Sequence, residues 1–432
     1  MITERNNIKK DYFWNTIGSG IYALASMVLA FAAMHILGPD DGGIFSFGFS
    51  AFGQQMFIIA YFGIRPFHIT DSSYEYSYEE YRRLRLITSA MAVAAALVYL
   101  AFMKLTDHYS ARKAAIIFLL ALYKVADGIA DLYESECQRA GLLWVGGKEL
   151  ALRTALSACT LVLAMLITKN VMAAAAAALL VQAAYIIYFR KYMAAHVLTG
   201  IHSSPQLNTA AVRELAQNTV LLFLSVFVDF YIFSASKYAI DIYLSDADSG
   251  VFNILFMPTS VIYLAANFII KPYMTRMSEI YEKHDIKGFK ETFGKLKIGV
   301  LGLSLLAMAG TVLLGKTVLF VLELILGPDY SGVLTGLATS FILIILGGCF
   351  YAVTNLYYYI LIIMRRQKDI FRIYLIIAVL AALLSNIVVP RCGLPGAAAI
   401  YPIYMGFSTA AFALVCRKQL KREENEEEWL IR

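Results

Sequence analysis

Four ionisable residues recur along one otherwise apolar stretch of the sequence. Lys124, Asp127, Asp131 and Glu134 follow a spacing of i, i+3, i+7 and i+10. On an α-helix this spacing places them within about 80° of arc, because successive residues turn by about 100°. A lysine in this setting can bind an anionic group such as a phosphate, and carboxylates can bind a cation or a proton.

The sequence around these residues has the composition of a helical membrane protein. Of 432 residues, 59% are hydrophobic and only 16% are charged, and the mean hydropathy is +0.65. Because a soluble protein needs more polar surface to cover its core, a soluble enzyme is excluded, as are disordered and fibrous chains. The apolar residues fall in blocks near the roughly 20 residues that cross a bilayer, and these blocks are too long and continuous for barrel strands.

Two interpretations of the charged face stay open. In the functional one, it lines a polar pathway: Lys124 holds a phosphate oxygen, and Asp127 or Asp131 binds a coupling cation or sets the charge of the lysine. In the structural one, Lys124 and Asp127 form a buried ion pair that fixes helix packing. A lysine near mid-membrane costs at least about 2.5–3.5 kcal/mol on insertion scales, so it needs a partner or a wet cavity.

Twelve membrane spans are predicted from the apolar blocks. They cover residues 11–37, 44–65, 86–105, 114–133, 150–168, 171–189, 214–234, 250–274, 296–326, 333–364, 371–389 and 395–416. No cleavable signal peptide is expected, because the first block is longer than a signal-peptide core. Every connection is short, so no extramembrane catalytic domain is expected.

The distribution of cations predicts the orientation. With a cytoplasmic N-terminus, the outer connections hold few of the 37 Lys and Arg residues, namely Lys104, Arg112, Lys113, Lys169, Lys237, Lys316 and Arg391. Cytoplasmic loops are enriched in Lys and Arg, so both termini are predicted to be cytoplasmic.

The second and eighth spans resemble each other. One opens with Gly43 and closes at Pro66, and the other opens with Gly250 and closes at Pro272. This repeat predicts two six-helix lobes with the same orientation, residues 1–200 and 201–417, followed by a charged cytoplasmic tail, 418–432. In such a parallel repeat the substrate path is expected between the lobes.

Further candidate residues lie near the ends of these spans or within one. Arg65 and Lys271 occupy matching places, where they either receive an anionic head group or extend to the interface and enforce topology. Asp229 in the seventh span is a candidate for a proton or sodium site, or a hydrogen-bonded packing residue. The five cysteines and six histidines show no metal-binding spacing, so we predict no metal site, and the histidines are interpreted as incidental.

Three stretches resemble Wzx-type polysaccharide flippases. They are GGIFSF at 42–47 with RPFHITD at 65–71, the pattern Lys124-x-x-Asp127-x-x-x-Asp131 followed by Gln138, and KYAID at 237–241 ahead of Gly250. The resemblance implies the all-α, two-lobed fold of the multidrug/oligosaccharidyl-lipid/polysaccharide exporter (MOP) superfamily. It also implies transport of isoprenyl-pyrophosphate-linked oligosaccharide across a bacterial plasma membrane, with cavity cations such as Lys124 and Arg65 meeting the pyrophosphate.

The expected function is therefore that of a lipid-linked oligosaccharide flippase working by alternating access, not of an enzyme. The expected partners are the lipid-linked oligosaccharide and the membrane, with polysaccharide-assembly proteins as candidates and no nucleic acid. No cofactor is expected beyond a coupling Na⁺ or H⁺. An ion-coupled multidrug exporter on the same fold is the alternative, and a saccharide polymerase or ligase is a third class. The sugar, the coupling ion and the oligomeric state stay open.

Overall fold

The computed structural model describes residues 2–71, 73–198 and 208–431, with side chains described from residue 9 to residue 424. The described part of the chain is helical and contains no β-strand. The predicted lobe boundary at 200/201 lies outside the described residues. The backbone of the predicted tail continues the last helix to Ile431, and the tail's side chains beyond 424 lie outside the description.

Fifteen α-helices follow one another along the described chain. The first nine are α1 (Ile2–Leu37), α2 (Pro39–Phe47), α3 (Gly53–Tyr61), α4 (Ile64–Thr70), α5 (Tyr78–Leu105), α6 (Ala111–Arg139), α7 (Leu143–Thr168), α8 (Val171–His196) and α9 (Thr209–Tyr243). The others are α10 (Asp246–Ile270), α11 (Met274–Glu282), α12 (Ile286–Leu326), α13 (Val333–Gly336), α14 (Ala338–Ile363) and α15 (Gln367–Ile431).

Ten helical stretches of the described residues are long and apolar enough to cross a membrane. The ten omit α6, whose buried charges make it too polar by composition. The ten also include residues 367–424 as a single stretch. However, α15 bends at Gly393, which lies between Pro390 and Pro395 and has a φ of 60° and a ψ of −149°. With α6 included and α15 divided at this bend, the helices match the twelve predicted spans, so the structure confirms an all-α membrane fold.

The second span departs from its prediction. Pro39–Tyr61 forms one continuous helical stretch that contains a π-helical turn at Gly48–Phe52, between α2 and α3, and it ends before residue 65. The chain then turns at Phe62 and Gly63, where φ is 51° and 65°. This left-handed pair ends α3 at Tyr61, so Arg65 belongs to the separate short helix α4. The matching helix in the second half, α10, continues unbroken through Pro258 to Ile270.

The described chain forms two compact units, residues Met1–Phe230 and Tyr231–Arg432, which divide within α9. In the first unit, α6 is central and packs against α3, α4, α5, α7 and α8, while α1 packs against α7. In the second unit, α14 packs against α10, α12 and α15. The charged helix of the sequence analysis is therefore surrounded by neighbours on most sides.

Candidate functional site

The charged face of α6 is buried inside the first unit. The exposed fraction is 2% for Lys124, 4% for Asp127, and 6% for both Asp131 and Glu134. These buried charges need oppositely charged or hydrogen-bonding partners, because burying an isolated charge in an apolar interior costs on the order of several kcal/mol. The partners come from α4, α5, α7 and α8.

Small residues let the neighbouring helices reach this face. A Cβ atom on Gly128 of α6 would lie 2.8 Å from the Cβ of Ala60 on α3. A Cβ atom on Gly48 would lie 2.8 Å from Cδ1 of Leu120 on α6. The π-helical turn and α3 therefore pack directly on α6, as small residues allow in membrane helices.

Arg153 of α7 connects three carboxylates. Its Nη1 donates a hydrogen bond to Oδ1 of Asp127. Its Nη2 donates to Oε1 of Glu134 at 3.1 Å, and its Nε donates to Oε1 of Glu149 at 2.9 Å. Gln182 of α8 also donates to Oδ1 of Asp127, at 2.6 Å. Asp127 is thus held by a guanidinium and an amide.

Asp131 is held by two arginines. Nη2 of Arg85 on α5 lies 2.8 Å from Oδ2, and Nη1 of Arg65 on α4 lies 2.5 Å from Oδ1. Arg65 also contacts Glu134 at 3.3 Å, and Arg85 donates to the carbonyl oxygen of Ala60 at 3.0 Å. Arg65, proposed from sequence as an anion ligand, already forms ion pairs in this structure.

Lys124 is the cation of this network with the weakest pairing. Its Nζ lies 3.8 Å from Oδ2 of Asp127, beyond hydrogen-bonding distance. The ammonium instead lies over the ring of Phe49, 4.0 Å from the centroid, and 5.3 Å from that of Tyr22. Among the described residues, none accepts a hydrogen bond from Nζ. An anion that reached Nζ would therefore displace no hydrogen-bond acceptor.

A second cluster lies at the end of α6. Nε2 of His68 and Oε2 of Glu136 lie 2.7 Å apart, and Nη2 of Arg139 also contacts that oxygen at 2.7 Å. The imidazole stacks on Tyr81 at 4.0 Å. Burial lowers the pKa of His68 and outweighs Glu136, which acts in the opposite direction. His68 thus attaches α4 to α6, a structural role that its spacing does not reveal.

The structure brings together four of the six predicted site residues, Lys124, Asp127, Asp131 and Arg65, in the first unit. Asp229 lies half-buried on α9. Lys271 lies exposed in a 3₁₀ turn in the second unit.

Sequence reasoning missed Arg85, Glu149 and Arg153. Arg153 lies inside the predicted fifth span and Glu149 one helical turn before it, so an i, i+4 ion pair was readable from spacing. Arg85 immediately precedes the predicted third span and carried no further signal.

The prediction that Lys237 lies in an outer connection is wrong. The seventh span does not end at 234, because α9 continues to Tyr243. Lys237 is 9% exposed, and its Nζ lies 4.5 Å from the ring centroid of Phe256. Phe256 follows Gly250 at the same separation as Phe49 follows Gly43, so each unit holds a buried lysine against the corresponding aromatic ring.

Comparison with known proteins places this architecture among transporter folds. No protein-family model matches the sequence, and no curated protein matches it.

An inward-facing MATE family multidrug transporter of the MOP superfamily superposes with a TM-score of 0.64 and 12% identity, covering 95% of both chains. The lipid II flippase MurJ, in an inward closed conformation, gives 0.65 and 12%, covering 94% of this chain and 89% of its own. The Vibrio cholerae MATE transporter VcmN, in the bent form, gives 0.60 and 13%, covering 98% and 99%. At these identities the likeness establishes the fold alone, a MATE- and MOP-like transporter fold.

Proposed function

We propose that this protein is a flippase that moves isoprenyl-pyrophosphate-linked oligosaccharide across a bacterial plasma membrane by alternating access. The observation that carries the proposal is Lys124, a buried cation without a hydrogen-bond acceptor among the described residues, inside a helical unit of transporter fold. In the proposal its ammonium meets a pyrophosphate oxygen. The likeness to a lipid II flippase supports a lipid cargo.

The charge balance of the network favours an anionic cargo. Four cations and four carboxylates make it up: Lys124, Arg65, Arg85 and Arg153 with Asp127, Asp131, Glu134 and Glu149. When all are ionised the cluster is neutral, and Lys124 is the one of its four cations that donates no hydrogen bond to a carboxylate of the cluster. An added anion therefore gains a partner in Lys124, whereas an added cation competes with the arginines that hold Asp127, Asp131 and Glu134.

The remaining predicted roles fit this proposal at different levels. Arg65 and Lys271 stay candidates for binding the pyrophosphate. Arg65 would first have to break its ion pair with Asp131. Asp127 and Asp131 hold arginines, so a coupling Na⁺ or H⁺ binds them only when those arginines move. Asp229 stays the third coupling candidate. In this proposal the chain carries out transport and no covalent chemistry, and it works with polysaccharide-assembly proteins of the same membrane.

An ion-coupled multidrug exporter is the second candidate function. Two of the three compared structures are MATE transporters, which favours it. A cationic drug, however, needs an acidic cavity with few competing cations, whereas four cations match the four carboxylates of this network.

Purified protein in proteoliposomes distinguishes the two functions. We expect transbilayer movement of an isoprenyl-pyrophosphate-linked oligosaccharide, no movement of a phosphatidylcholine analogue, and no accumulation of a cationic dye. Dye accumulation with an immobile oligosaccharide lipid would instead establish the drug exporter.

A further inference from the structure

A groove opens in the second unit where α12 begins and the second half of α15 ends. It has a volume of about 640 Å³. Its walls include the apolar side chains of Phe293, Tyr357 and Leu414, and its rim includes Lys297, Arg417 and Lys421. The groove thus combines apolar walls with basic residues. None of these residues belongs to the charged network of α6 or has a role in the proposed transport.

The cations of the rim are available to a ligand. Lys297, Arg417 and Lys421 are exposed, and none of them forms an ion pair with a described carboxylate. A fourth cation, Lys290, contacts Glu424 at 2.5 Å and is thereby neutralised. The rim therefore presents a surplus of positive charge without a described counter-charge, which is complementary to an anionic group.

The walls continue into a lipid-facing surface. Phe293 and Tyr357 form an edge-to-face pair with ring centroids 5.7 Å apart. Next to this pair, α12 and α15 expose apolar side chains, with Ile298 73% exposed on α12 and Leu414 67% exposed on α15. Apolar side chains this exposed on membrane helices face acyl chains. A basic rim beside an exposed apolar surface is the pattern expected where head groups meet hydrocarbon.

We propose that this groove binds one anionic phospholipid of the surrounding membrane. The phosphodiester lies among Lys297, Arg417 and Lys421, and an acyl chain lies against Phe293, Tyr357 and Leu414. Basic pockets between membrane helices select anionic head groups in this way, because lysine and arginine supply charge and hydrogen-bond donors at the surface. A free phosphate would use the rim alone and leave the apolar walls empty.

Native mass spectrometry of the full-length protein in detergent, titrated with phosphatidylglycerol, tests the site. We expect the double variant Lys297→Gln/Arg417→Gln to bind this lipid at least fivefold more weakly than the native protein. The matched control, Lys283→Gln/Lys287→Gln, removes two exposed cations near the start of α12 outside the groove, and we expect native binding. Phosphatidylcholine should bind equally weakly to all three proteins.

A second variant keeps the charges and fills the groove. Ala413 lines it, so Ala413→Phe should weaken phosphatidylglycerol binding while all rim cations remain. Equal melting temperatures of native and variant proteins establish that each is folded. The proposal is overturned if the rim variant binds phosphatidylglycerol like the native protein, if the control loses as much, or if millimolar inorganic phosphate displaces the lipid completely.

Discussion

At the scale of single residues, the first unit depends on charges that neutralise one another away from water. Arg153 is the residue on which this balance depends most, because its guanidinium contacts Asp127, Glu134 and Glu149. Arg85 has one carboxylate partner, Asp131, which Arg65 also holds. Removal of one arginine is therefore expected to have a different consequence from removal of the other.

We expect Arg153→Met to destabilise the protein by about 3–5 kcal/mol, since it leaves buried carboxylates without a counter-charge. Arg85→Met should cost clearly less, because Arg65 remains on Asp131. Thermal unfolding of the two variants in the same detergent measures the difference. Equal melting temperatures would show that Arg153 does not hold the network together.

The cluster at His68 predicts a pH dependence. Burial lowers the folded-state pKa of His68, as do the positive charges of Arg139 and Arg85, and the hydrogen bond to Glu136 acts in the opposite direction. The unfolded chain, with a pKa of about 6.5, therefore takes up the proton first as the pH falls. Stability that is fully present above about pH 6.5 is lost as the pH falls from there through the folded-state pKa.

We expect the melting temperature of the native protein to fall between pH 7 and pH 5 more steeply than that of His68→Gln, which cannot titrate. Parallel pH profiles for the two proteins would contradict a neutral buried imidazole. The comparison uses the slope of each profile, so a uniform loss of stability in the variant does not affect the conclusion.

At the scale of elements, close packing on α6 decides where the charged groups lie. The π-helical turn at Gly48–Phe52 contains Phe49, and α3 supplies the carbonyl oxygen of Ala60 to Arg85. The π-helical turn packs on α6 because Gly48 has no side chain, and α3 packs on α6 because Gly128 has none. Separating α3 from α6 would therefore disturb the arginines as well as the packing.

Gly128→Ala should destabilise the protein by about 1–3 kcal/mol, as overpacking usually does. The added Cβ would lie 2.8 Å from that of Ala60. Adding Ala60→Gly to this variant should restore most of the melting temperature by removing the clash. Gly310→Ala on α12 meets nothing within 4 Å and serves as the tolerated control. A double variant no more stable than Gly128→Ala would contradict the proposed clash.

The sequence predicted these elements unevenly, for physical reasons. The spacing of Lys124, Asp127 and Asp131 predicted a charged helix face, because helical periodicity is local. The break at Phe62 and Gly63 was missed because the apolar run continues across it, although Gly63, with its left-handed φ, and Pro66 are local signals for a helix end. Lys237 was misplaced because a lysine normally ends a span, whereas here aromatic rings surround it.

At the scale of the whole molecule, the distribution of cations predicts cytoplasmic termini. We expect green fluorescent protein fused after Arg432 to fluoresce, and alkaline phosphatase inserted after Asp107, between α5 and α6, to be active in the periplasm. The reverse pattern would invert the orientation while leaving the helices unchanged.

The fold was predictable at this scale because hydropathy and span number reflect the bilayer itself. Cargo identity was not, because it depends on a few side chains whose partners come from distant helices. Arg85 and Arg153 take part in the network at Lys124, yet only the folded chain shows that they neutralise Asp131, Asp127 and Glu134. Transport is therefore expected to depend most on Lys124, whose ammonium donates no hydrogen bond to a described residue.

The most direct test measures movement of an isoprenyl-pyrophosphate-linked oligosaccharide in proteoliposomes, with and without an ion gradient. Native protein is compared with Lys124→Met, Lys124→Arg and the exposed control Lys104→Met. We predict that Lys124→Met lowers the rate at least tenfold, that Lys124→Arg retains part of it, and that Lys104→Met matches the native protein. Native rates for folded Lys124→Met would contradict the account.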